Sequence, residues 1–243
     1  MSIKFRTRTE AGKFLARELT AYADCKDLLV LGLPRGGVPV AYEVAKALDA
    51  PLDICLVRKI GVPGHQELAM GAITSGGIRV LNSDVISSLA ISKQTINQVT
   101  ADESQELQRR DRAYRGDRPP LNVTNHTIIL VDDGIATGST MRAAITLLKQ
   151  QQPYRIVVAV PVAPPEICEQ LSELVDEVVC LKIPERMYAV GVWYEDFSQT
   201  TDDEVRHLLA KQSQLITTLG VAESGIVTDT KTHHQLFAAD GLN

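Results

Sequence analysis

Five short runs that are almost continuously apolar, 28–33 (LLVLGL), 52–57 (LDICLV), 127–132 (TIILVD), 156–162 (IVVAVPV) and 176–181 (DEVVCL), alternate along the chain with amphipathic stretches. Runs of that length without a polar face suit strands covered on both sides, as in a parallel sheet. The alternation predicts an α/β architecture: a twisted, mostly parallel sheet flanked by helices. Helices are expected at 37–48 after Gly37, at 139–151 after Gly138 and stopped by Gln152-Pro153, and at 165–174 with Pro165 in the first position. A last helix, 202–212, opens on a capping-box pattern from Thr201 to Glu204.

One segment departs from this rhythm. The polar stretch 92–115 reads as a long helix with few apolar residues, lying across a sheet edge or at a subunit contact. Its second half interleaves Asp102, Glu103, Glu106 and Asp111 with Arg109, Arg110, Arg112 and Arg115, the pattern of a solvated face with paired neighbours. The strand and helix periods fade beyond it at about residue 213. The expected organisation is therefore one domain over 1–212 and a loosely ordered tail over 213–243. His233-His234 in that tail has no Cys or further His beside it and makes a poor metal site.

Composition excludes several classes. With 30 Asp plus Glu against 25 Lys plus Arg and only 5% aromatics, the chain lacks the basic stripe of a non-specific nucleic-acid binder. No segment is long and charge-free enough to span a bilayer, and the charged start has no export signal, so a cytoplasmic protein is expected. Cys25, Cys55, Cys168 and Cys180 are scattered singly, without CxxC spacing, and read as small reduced hydrophobes.

The stretch from Ile128 to Thr140 carries the most chemistry. An apolar strand ends in Asp132-Asp133, passes through Gly134-Ile135-Ala136-Thr137-Gly138 and opens a helix at Ser139-Thr140. The glycines let backbone N–H groups converge, three hydroxyls add donors, and the helix N-terminus points its positive end at the same spot. That is a phosphate nest. It lacks the Lys of a triphosphate-binding loop and the GxGxxG of a dinucleotide loop, so a monophosphate fits better. Two carboxylates beside it suit sugar hydroxyls, and a pentose 5-phosphate would satisfy both halves.

Residues 128–140 resemble the phosphoribosyl pyrophosphate (PRPP) binding motif of type I phosphoribosyltransferases, and residues 1–212 look like a bacterial group of that family. The resemblance implies a Rossmann-like core with a small hood. It also implies that Asp132 and Asp133 hold the ribose hydroxyls, that Gly134 to Thr140 hold the 5-phosphate, and that Mg²⁺ arrives with PRPP rather than in a cage of side chains. Nitrogen acceptors are the implied second substrate, and a homodimer the implied assembly.

Further elements take their meaning beside that motif. Gly32-Leu-Pro34-Arg35-Gly36-Gly37 at a strand-helix junction is ordinary punctuation read alone, but it resembles the family's pyrophosphate loop, with Arg35 as an anion fork and Arg35-Gly36 as the candidate cis peptide. Arg58 and Lys59 lead into a Gly/Pro-rich segment where a lid over the pyrophosphate would sit, with His65 and Glu67 as weaker candidates; either cation alone could be a surface residue. Trp193 and Tyr194 stand in an aromatic group that reads first as packing and second as a platform for the acceptor ring. A PRPP-sensing protein that kept the sugar-phosphate site without transfer is the alternative function. A receiver-like phosphoacceptor domain would give TGST no role and ranks behind both.

Overall fold

The computed structural model describes residues 4–116, 118 and 121–223. In chain order the elements are α1 (Arg8–Glu18), β1 (Leu28–Gly32), α2 (Gly37–Ala47), β2 (Leu52–Ile54), β3 (Val57–Val62), β4 (His65–Thr74) and β5 (Arg79–Leu81). There follow α3 (Ser83–Ser88), α4 (Lys93–Arg115), β6 (Thr127–Val131), α5 (Ser139–Lys149), β7 (Arg155–Val162), α6 (Pro165–Ser172), β8 (Glu177–Lys182) and α7 (Asp202–Glu223).

The apolar runs assemble into a sheet in the order β2-β1-β6-β7-β8, every pairing parallel. Side chains alternate across it. Val30, Ile129 and Val157 face a core shared with α1, α2 and α7, while Leu31, Leu130 and Val158 face α5 and α6. The expected mostly parallel sheet between helices is thus the observed one. From β1 the chain steps one way to β2 and later enters β6 on the other side, so the strand order reverses between β1 and β6. Gly32 lies opposite Val131 there, which brings the loops leaving both strands together at the carboxyl edge, where such sheets bind ligands.

Three departures from the sequence expectation matter. The run 52–57 is not one strand: at the buried pair Cys55-Leu56 the chain leaves the parallel sheet, and β3 begins a second sheet, β3-β4-β5. The segment expected as a lid loop is a β-hairpin, paired from Val57 opposite Thr74 to Val62 opposite His65. Its tip is Pro63-Gly64, with Gly64 at φ +79, the residue chemistry of a type II turn. The last helix does not stop near 212 but continues to Glu223. His233 and His234 lie outside the described residues.

Capping explains where several helices begin. Thr7 accepts a hydrogen bond from the Glu10 amide ahead of α1, and Ser92 does the same for Thr95 ahead of α4. Thr201 accepts from the Glu204 amide at 3.1 Å, as its capping pattern predicts. The long helix α4 is less solvated than its charges suggest, because Ile96, Leu107 and Tyr114 are buried in the core shared with this chain's own β3, β4 and α7, and Arg115 is buried at Asp53 of β2. Cys168 on α6 and Cys180 on β8 pack against the same core, and the Cys180 thiol donates to Lys182 O at 3.2 Å.

Candidate active site

Val131 ends β6, and Asp132 and Asp133 follow it into the space between the β1 and β6 loops. Asp132 Oδ1 accepts the Asp133 amide at 2.9 Å. Burial, followed by the neighbouring charge of Asp133, raises the Asp132 carboxyl well above its ordinary range. Burial also raises Asp133, against the downward pull of Arg8, whose Nε donates to Asp133 Oδ2 at 2.7 Å.

Gly134 turns the chain at φ +155, a conformation open to glycine, and a Cβ there would run into Val162 and Val190. The Ile135 amide donates to Val162 O at 2.9 Å and anchors the loop to β7. Gly138 caps α5 in the left-handed region at φ +70, with no side-chain acceptor for the helix's first amides. Those amides have no partner within the helix either, so the α5 N-terminus presents free donors and a partial positive charge. Thr137 and Ser139 hydroxyls stand 3.4 Å apart beside it. Arg142, one turn into α5, donates to Thr137 O at 2.7 Å and holds the loop from behind.

The β3 cations divide. Successive strand residues point to opposite faces, so they cannot serve one site together. Lys59 Nζ reaches Ser139 Oγ at 3.3 Å, at the α5 N-terminus. Arg58 pairs with Glu103 of α4 instead. His65 is exposed at the hairpin tip, and the Glu67 side chain lies outside what is described.

The loop between β1 and α2 packs against the acidic pair. A Cβ on Gly36 would collide with the Asp133 carboxylate, and one on Gly37 would meet Val131 O at 2.7 Å. The cis peptide in this loop is Pro34–Arg35, one bond before the expected Arg35–Gly36. Cis geometry is otherwise a property of bonds preceding proline, so composition had no means of placing it here. Arg35 Nη1 lies 3.2 Å from Asp202 Oδ1, at the start of α7, and Tyr114 also donates to that oxygen at 2.8 Å.

The aromatic group near 194 packs rather than opens. Tyr194 is 3% exposed, its ring 5.6 Å from Phe5 and 5.1 Å from Phe197, and its hydroxyl donates to Asp133 O at 2.6 Å. Trp193 is partly buried beside it, whereas Tyr188 stands 86% exposed. So Tyr194 touches the site through the Asp133 backbone, not as a ring platform. Sequence reading missed Arg8 altogether; its signal was a cation at the first helical position after a Thr cap, indistinguishable from a surface residue until α1 docks.

The family model described as the phosphoribosyl transferase domain matches residues 6–195, a span that takes in Arg8, both carboxyl-edge loops, β3 and Tyr194. Proteins from two Mycobacterium tuberculosis strains, CDC 1551 / Oshkosh and H37Rv, each provisionally named a phosphoribosyl transferase, are 46% identical over 201 residues. These matches take in 83% of this chain and 45% of each relative, so the chain spans about half the length of the curated relatives it matches. The crystal structure of TT1426 from Thermus thermophilus is 42% identical, with a TM-score of 0.77, over 86% of this chain and 99% of that one.

Proposed function

This chain belongs to the phosphoribosyl transferase domain family, and from that premise we propose that it binds Mg²⁺-PRPP, transfers the 5-phosphoribosyl group to a nitrogen acceptor and releases pyrophosphate. One observation carries the reading: the glycine-capped N-terminus of α5, with free amide donors and Lys59 at Ser139, follows directly on two partly buried aspartates. An anion cradle joined to paired carboxylates matches a sugar phosphate, and neither half alone would ask for the other.

In this mechanism Gly134 to Thr140 cradle the 5-phosphate while Asp132 and Asp133 accept hydrogen bonds from the ribose hydroxyls. Positive charge develops at the anomeric carbon as the leaving group departs, and carboxylate oxygens beside it stabilise that charge. Lys59 adds its charge to the cradle at Ser139, and the loop at Arg35, Gly36 and Gly37 takes up the departing oxyanions. The acceptor nitrogen attacks the anomeric carbon from the face opposite the leaving group and then loses its proton to an aspartate or water. Asp133 is already engaged by Arg8, which leaves its carboxylate less free to ligate a cation. That donor set fits Mg²⁺ held by substrate oxygens and water, the environment this ion prefers. When bound, it neutralises the diphosphate as a leaving group.

A second reading has its own support. Arg58 and Arg35, two of the cations assigned to the leaving group, are ion-paired elsewhere, to Glu103 and Asp202. A PRPP sensor needs the cradle and aspartates without those cations. The assembly proposed is a homodimer on family habit alone, since α4 packs within its own chain. A cytoplasmic location accords with the lack, among the described residues, of any helix long and apolar enough to cross a membrane. Calorimetry with Mg²⁺-PRPP tests binding: a micromolar complex lost in Asp132→Asn/Asp133→Asn is expected, and no binding by the native protein would end both readings. Pyrophosphate release across a panel of purine and pyrimidine bases then separates transferase from sensor.

A further inference from the structure

The N-terminal segment and the segment before the last helix meet at Asp133. Phe5 and Tyr194 form a parallel bridge in which the Phe5 amide donates to Trp193 O at 2.9 Å, the Glu195 amide to Phe5 O at 2.8 Å, and the Asp196 amide to Arg6 O at 3.0 Å. This clasp delivers Arg8 and Tyr194, distant in sequence, to the same residue. Arg8 Nε takes the Asp133 carboxylate at 2.7 Å, with the two side chains 12% and 13% exposed. Its guanidinium carbon lies 3.9 Å from the Phe197 ring centroid, and Nη1 donates to Ser198 O at 2.7 Å. Tyr194 holds the Asp133 carbonyl, and Gly36 leaves room for the carboxylate by having no Cβ.

We propose that Arg8 is a positioning residue: it fixes the Asp133 carboxylate for the sugar and makes that position depend on the segment 194–198, so that this segment and the sugar-phosphate side of the site report to one another. The physical basis is charge and geometry together. Two buried carboxylates on consecutive residues repel unless a cation sits with them, and Arg8 is the cation in hydrogen-bond contact with the pair. Its planar fork spends one edge on the carboxylate and another on Ser198 O, while its face stacks on Phe197, so it cannot shift at one partner without losing another. An arginine that only stabilised the fold would have no need to touch a carboxylate at the sheet's ligand edge.

This inference rests on the PRPP-binding reading, and its test separates the two. In calorimetry with Mg²⁺-PRPP, Arg8→Gln is expected to weaken binding by about 10–100-fold, the range of a lost charge-assisted hydrogen bond. Arg8→Lys should recover part of that loss. The Arg8→Gln/Asp133→Asn double variant should bind no more weakly than Asp133→Asn alone, because the two residues act as a unit. Phe197→Leu, which leaves both charges in place, should weaken binding several-fold if the segment 194–198 is coupled, and it carries the test should Arg8→Gln fail to fold. Native affinity in Arg8→Gln or in Phe197→Leu, or losses that multiply in the double variant, would overturn the proposal. If the native protein binds no PRPP, the functional reading falls, and the Arg8–Asp133 pairing is decided in ligand-free protein by a thermal double-mutant cycle. Non-additive losses would support it and additive losses would refute it.

Discussion

Lys59 Nζ stands 3.3 Å from Ser139 Oγ, while Arg58, one residue earlier on the same strand, is turned to Glu103 on α4. Strand geometry imposes this split, and it assigns the two cations different work. Lys59→Ala should weaken Mg²⁺-PRPP binding by about 10-fold or more, since a charge-assisted contact to phosphate is lost. Arg58→Ala should bind nearly as the native protein does and lower stability by about 1 kcal/mol or less, the usual range for a partly exposed ion pair. Calorimetry and thermal melts on both variants check the asymmetry; equal losses of affinity would return Arg58 to the site.

Neighbouring glycines offer a second contrast. Gly36→Ala would push its new methyl into the Asp133 carboxylate, a side chain, whereas Gly37→Ala would drive it into Val131 O and the Asp132 backbone. Side chains yield and backbones do not. Gly36→Ala is therefore expected to lose most of its PRPP affinity, with a melting-temperature loss that reflects the disturbed Arg8–Asp133 pair. Gly37→Ala should be destabilised by about 1–3 kcal/mol, the cost of overpacking. Circular dichroism melts beside calorimetry distinguish the two patterns.

The parallel sheet and the anion loop were legible because each is written in contiguous residues: an apolar run makes a buried strand, and TGST after two aspartates makes a helix N-terminus. What escaped was written across distance. Arg8 meets Asp133 across 125 positions and Arg35 meets Asp202 across 167, and no local period encodes such pairings. The hairpin β3–β4 escaped for another reason. Its polar residues, Arg58, Lys59 and His65, sit among Gly61, Pro63 and Gly64, which read as loop punctuation although Pro63-Gly64 forms a tight turn between paired strands. Tyr194 shows the same limit: one aromatic residue in a row can stack on a ligand or on Phe5, and only the docked N-terminal segment decides.

The acidic pair makes the ligand-free protein sensitive to pH. Asp132 binds its proton more tightly when folded, chiefly through burial and then through the charge of Asp133, so the folded state carries more protons than the unfolded one from the ordinary value of 3.8 upward. Stability must then fall as pH rises through that window to the raised value, above which the ionised pair remains a fixed cost. Asp132→Asn removes the charge. Its melting temperature is expected to exceed that of the native protein near pH 7–8, by about 2–4 °C per kcal/mol recovered, with the gap closing toward pH 4. Scanning fluorimetry across that range checks the sign, and a gap independent of pH would contradict it.

The last expectation concerns α4, whose interleaved charges suggested a solvated face. Arg115 is an exception, with a side chain 5% exposed that grips Asp53 of β2 through Nε and Nη2, both at 3.0 Å, and Asp111 through Nη1 at 3.5 Å. A pair this buried contributes little over an apolar substitute, yet breaking it strands a carboxylate without its partner. Arg115→Ala should therefore cost about 3–5 kcal/mol, roughly 6–20 °C of melting temperature for a chain of this size. Arg115→Met/Asp53→Asn/Asp111→Asn, which removes all three charges and keeps the volume, should recover much of that loss. Urea titrations of the single and triple variants measure the difference; a triple variant as unstable as Arg115→Ala would mean that the contact acts through packing of the arginine stem rather than through the stranded charge.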